Sequence, residues 1–189
     1  MDQHRADAPL EVAFEGWLAG ASGALALTGM VAVGRKLMAG TNATDELQAD
    51  AGISAAAALA EGPDMPPNLN RVTATFVQKL ATGVFGTSLS AQEQVVAGTA
   101  WHLAYGGWWG TLYGLVQSSV GVSPVALGPL LGLGVWAIGP GWLVPKMKLM
   151  LPPQQQQPRT AVVVASMHVA YGALVAVAFG RLRRDNGRG

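Results

Sequence analysis

The chain has 189 residues, half of them apolar and only 12% charged, and a water-exposed globule of that make-up lacks the polar surface to cover itself. Its formal net charge is +1 and its basic residues gather at the ends of apolar segments, which argues against a nucleic-acid partner. The absence of cysteine excludes disulfides, thiolate metal sites, cysteine nucleophiles and c-type haem attachment, and leaves the compartment unspecified.

The start carries Asp2, Asp7, Glu11 and Glu15 against the single Arg5, and the apolar stretch that follows has no clear small-residue cleavage site. The first apolar segment is therefore expected to stay in the mature protein rather than be removed as a signal peptide. Four segments meet the length and charge conditions for crossing a bilayer: 16–34, 95–116, 125–145 and 161–180. Between Glu93 and Lys146 there is no Asp, Glu, Lys or Arg at all. The runs are continuous rather than alternating, so they read as helices and not barrel strands. Trp17, Trp142 and the pairs Arg35/Lys36 and Lys146/Lys148 fall near the expected ends, where aromatic rings and snorkelling cations favour the headgroup zone.

The connection over 39–93 is the one sizeable extramembrane element expected. Within it 54–61 reads as a short Ala-rich helix, and 71–85 places Val72, Phe76, Val77 and Leu80 on one face at helical spacing. That second piece suits either a helix lying on the membrane surface or a re-entrant or capping helix packed over the bundle. Asn42-Ala-Thr44 fits a glycosylation acceptor. The later links, 118–124 and 151–159, are short, and the second holds Pro-Pro and four glutamines; both imply antiparallel neighbours. Pro129 and Pro140 fall inside the third segment, with Pro140-Gly141 the expected break.

The second and fourth segments share a pattern: His102-Leu-Ala-Tyr105-Gly106 recurs as His168-Val-Ala-Tyr171-Gly172. The likeness continues, with His102, Gly106, Gly110 and Gly114 answered by His168, Gly172, Ala176 and Gly180, all on one stripe because steps of four keep a helical face. The first and third segments match more weakly, Gly20 with Gly132, Gly29 with Gly141, and Lys36-Leu-Met38 with Lys148-Leu-Met150. The expected fold is therefore an all-α membrane protein of one domain and four transmembrane helices. Its two hairpin repeats are 16–116, with the insertion 39–93, and 125–182. A hairpin crosses twice, so its copy re-enters with the same orientation and the repeats are parallel. Each histidine is eighth in its segment, placing both at equal depth and facing each other.

Small residues every fourth position let helices approach closely, so Gly106, Gly110, Gly114, Gly172, Ala176 and Gly180, with Gly16/Gly20/Ala24/Thr28 in the first segment, are expected packing faces. For His102 and His168 two readings compete. They hydrogen-bond across the bundle to Tyr105, Tyr171 or freed carbonyls, or they give axial nitrogens to a b-type haem or other tetrapyrrole for which the glycines leave room. Zinc lacks a carboxylate or thiolate to complete its shell, while a proton-relay or substrate-path role stays open. No paired carboxylates inside the bundle, His-Glu-x-x-His, phosphate loop or nucleophile elbow is read from the sequence, so no catalytic residue is assigned.

Taken with its Gly-rich first segment, Pro66-Pro67, His102 followed by Tyr113-Gly114, the Leu130-Leu-Gly132 run and His168 ahead of Arg183-Arg184-Asp185, the chain resembles the YagU-type family of bacterial inner-membrane proteins. The resemblance implies an inner-membrane location with both termini cytoplasmic, and no reaction. The start departs from the family's basic tendency, and the distribution of Lys and Arg does not decide orientation. Three functional expectations follow. The first is a non-enzymatic accessory or scaffolding subunit whose partners are the lipid bilayer and other membrane subunits or further copies of itself; the others are a haem- or pigment-binding redox protein and a small transporter or proton-handling protein.

Overall fold

A computed structural model describes residues 9–39, 69–156 and 158–186, and these form five helices and no strand. They are α1 (Pro9–Ala39), α2 (Leu69–Phe85), α3 (Ala91–Ser119), α4 (Pro124–Lys146) and α5 (Pro158–Asp185). The expected helix over 54–61, the Asn42 acceptor and Pro66-Pro67 lie outside the described residues.

Each boundary has a local cause. Ser90 and Glu93 form a capping box at the start of α3: the Glu93 carboxylate accepts from the Ser90 N–H at 2.8 Å and hydroxyl at 2.7 Å, and the Ser90 hydroxyl accepts from the Glu93 N–H at 3.4 Å. Gly86, at φ 63°, turns the chain out of α2. In α4 the helix continues through Pro129, which leaves out one ladder bond, then widens into a π turn over Gly139–Leu143, where the Val144 N–H reaches the Gly139 carbonyl. Pro140 has no N–H to give the carbonyl four residues back, and the wider turn moves the ladder past that defect. The break thus falls at Pro140-Gly141, where the sequence places it. A Schellman arrangement ends α4, Leu149 N–H to Val144 O at 3.1 Å and Lys148 N–H to Pro145 O at 2.9 Å, with Lys148 at φ 56°.

Of the four expected spans, α4 and α5 are the helices long and apolar enough to cross a membrane. α1 and α3 have the length, 31 and 29 residues. The charges of α1, Glu11, Glu15, Arg35 and Lys36, flank its uncharged stretch 16–34, whereas α3 is uncharged after Glu93 but carries glycine, tryptophan and tyrosine where α4 and α5 carry aliphatic residues.

The backbone groups into two compact units, each drawing on segments from both halves of the chain. The first takes 1–26, 103–135 and 168–189. Within it α3 and α5 run parallel, because their contacts rise together: Tyr171 with Gly106, Phe179 with Tyr113, Arg183 with Ser118. α1 runs against α3, Gly16 meeting Gly110 and Gly20 meeting Gly106, and α4 runs against α5, Gly128 meeting Gly172 and Gly132 meeting His168. Tyr113 and Val175 are the largest side chains sealed in this core.

The second unit takes 27–102 and 136–167. Here α2 packs on the first turns of α3: Gly98 lies against the Ala74 backbone and the Phe76 and Trp101 rings are 4.7 Å apart. The expected face of α2 needs correcting. Ala74, Val77 and Ala81 are its buried residues, Val72 and Phe76 are half-buried, and Leu80 is exposed. At Ala74 the α3 backbone at Gly98 comes against the α2 backbone, a close approach that a small residue permits. Lys79 Nζ donates to the Met147 carbonyl at 2.8 Å, setting a cation on the carbonyl end of α4.

Candidate functional site

Where α3 and α5 pass each other, the repeated motif meets itself. The shift that carries His102 to His168 carries Tyr105 to Tyr171 and Tyr113 to Phe179. Tyr113 and Phe179 stand edge to face, 5.7 Å between centroids at 85°, so counterparts touch across a local two-fold relation that runs along the helices. About two turns along, the buried Tyr171 hydroxyl donates to the Gly106 carbonyl at 2.7 Å. A hydroxyl so placed holds the two helices at fixed separation, since an unpaired polar group in an apolar core is costly.

The glycines on either side are closed by other helices. A Cβ on Gly16 would lie 2.5 Å from the Gly110 carbonyl oxygen, one on Gly20 would strike the Gly106 carbonyl, and one on Gly106 would come within 2.8 Å of the Ala24 methyl. On the other side a Cβ on Gly128 would lie 2.7 Å from the Gly172 oxygen and 2.9 Å from the Ala176 methyl, while Gly132 sits on the His168 carbonyl. Gly114 faces the Val12 carbonyl at 2.9 Å, and among the described residues Gly180 meets no atom within 4 Å. Trp17, marked in the sequence as a headgroup-zone residue, lays its indole against Gly107.

Packing revises the register of the weaker repeat. Gly20 rests on Gly106, and the helix position resting on its counterpart Gly172 is Gly128. The match is thus Gly20 with Gly128, one turn earlier than Gly20 with Gly132. Glycines four apart occupy the same face, so sequence spacing alone is blind to a one-turn slide.

His102 is half-buried and closes a segment of the second unit, whereas His168 is half-buried and opens a segment of the first. The glycine faces expected to leave space for a flat macrocycle are filled: Gly106 and Gly110 by α1, Gly172 by α4. These residues do not fit a tetrapyrrole lodged along the stripes. Among the described residues no cluster of three or more His, Asp or Glu side chains is placed to hold a metal ion.

A polar cluster at the far end of the first unit has no signal in the sequence beyond an acidic start and a basic finish. Glu15 is buried and accepts from Asn186 Nδ2 at 2.6 Å. Arg183 lies 5.7 Å over the Phe179 ring and donates to Ser118 Oγ at 3.5 Å. Thr111 donates to the Ala13 carbonyl at 3.1 Å, and Tyr113 donates to Gln117 Oε1 at 3.2 Å. Every one of these links joins parts of the chain to one another. Comparison with known protein families, with curated proteins and with solved structures returned no match.

Proposed function

We propose that this chain is a multi-pass membrane protein of four transmembrane helices, α1, α3, α4 and α5, arranged as two parallel-repeat hairpins, and that it works by contact, as an accessory or scaffolding subunit. The observation that carries the reading is the pair of glycine crossings, Gly16/Gly20 on Gly106/Gly110 and Gly128/Gly132 on His168/Gly172. Backbone approach of that kind is how helices associate in lipid, where no hydrophobic force drives them together. Outward-facing Phe14, Leu25, Met30, Trp108, Leu130 and Trp142 support it, all at least 40% exposed, as a lipid solvent demands and water penalises. The composition of α3 is compatible with a span, because glycine is common in membrane helices and tryptophan and tyrosine suit their ends. The resemblance to the YagU-type family agrees with an inner-membrane location and adds no reaction.

The test is fractionation. Alkaline carbonate is expected to leave the protein in the membrane pellet and detergent to release it; release by carbonate alone overturns the reading. Purified protein from cells supplied with a haem precursor is expected to show no Soret band, and a stoichiometric one would restore the cofactor alternative.

A further inference from the structure

Gly114 and Gly180 are counterparts under the shift that relates His102 to His168, yet their surroundings differ. Gly114 is covered by α1, with the Val12 carbonyl 2.9 Å and the Gly16 Cα 3.3 Å from where a Cβ would stand, while among the described residues Gly180 has nothing within 4 Å. The cause is length. Under the register that matches Gly20 with Gly128, Pro124 matches Gly16, so α4 begins where α1 has already run through 9–15. The second repeat therefore lacks the two turns that would cover Gly180, and Val177 beside it is 50% exposed.

We propose that this notch on α5 seats α1 of a second copy of the chain, a partner assignment that rests on the contact reading above. Three observations select that occupant. The segment already filling the equivalent seat on α3 is the start of α1. The same two turns present a second apolar face, Leu10 at 84% and Phe14 at 62% exposure. Charge is complementary, since the only charge in the first turn of α1 is Glu11, while Arg181 and Arg184 stand exposed around Gly180. Direction agrees as well. α1 opposes α3, and α3 parallels α5, so a copy inserted with the same orientation brings its α1 antiparallel to α5. A two-fold axis along the membrane normal then closes both seats at once.

The absence of cysteine supplies a clean test. One copy carrying Phe14→Cys and another carrying Val177→Cys are co-expressed, and isolated membranes are treated with a short bismaleimide. The expected product is a linked pair of these chains, seen only when both variants are present. Adding Gly180→Leu to the Val177→Cys copy is expected to lower its yield about tenfold, because overfilling the notch opposes docking. The open space around Gly180 leaves the folded monomer intact, which its unfolding midpoint in detergent checks. No linked pair from carbonate-resistant protein, or a yield indifferent to Gly180→Leu, overturns the proposal and assigns the notch to lipid tails. Linkage to some other protein overturns it too. Release of the protein by carbonate defeats the membrane reading itself, so the two failures are told apart.

Discussion

At Gly20 a single methyl would be driven into the Gly106 carbonyl, and neither helix backbone yields as a side chain would. Gly20→Val is expected to destabilise the fold by about 2 kcal/mol or more, read as a lowered unfolding midpoint in mixed micelles followed by circular dichroism. Gly180→Ala is the matched control, with a change within about 0.5 kcal/mol, since the added methyl meets no atom. Tyr171→Phe removes the hydroxyl that joins α5 to the Gly106 carbonyl and is expected to cost about 0.5–1.5 kcal/mol in the same assay. That glycines would pack was legible in their spacing. Which would stay open was not, because Gly114 and Gly180 carry the same local signal and differ only in whether another helix reaches them.

Among the elements, α3 owes its start to Ser90 and Glu93. The Ser90 hydroxyl, and then its backbone N–H, hold the Glu93 carboxyl below the ordinary glutamate range. A group whose folded pKa is lowered contributes stability above its unfolded pKa and loses it as pH falls through the folded one. The start of α3 is therefore expected to fray on acidification below the usual carboxylate range, with faster amide exchange at Ala91 to Gln94, while Ser90→Ala at neutral pH costs about 1 kcal/mol. At the end of α4, Lys148 occupies a left-handed conformation that favours glycine, so Lys148→Gly is expected to stabilise by about 1 kcal/mol in thermal unfolding. The break at Pro140-Gly141 was readable in the sequence. The buried face of α2 was misread because the largest apolar residues were assigned to it. A crossing at Gly98 rewards the smallest, and nothing within α2 announces that Gly98 is its neighbour.

For the molecule as a whole, the His-x-Ala-Tyr-Gly pattern occurs twice in the sequence, and α3 and α5, which carry it, run parallel within the first unit. Two things lay beyond the sequence. One is the register between α1 and α4, degenerate on a helix with glycine every turn. The other is the grouping into units, which follows spatial packing and takes pieces of every long helix except α2. The meeting of Tyr113 with Phe179 carries a consequence for how the polypeptide came to be and how it is cut. Tyr113 and its counterpart Phe179 meet there, as like residues of two protomers do in a homodimer, and the exposed stretch 120–123 joins α3 to α4. Severed at that stretch and produced as two fragments in one cell, the halves are expected to find each other and co-purify, and a Tyr113→Ala half to lose its mate.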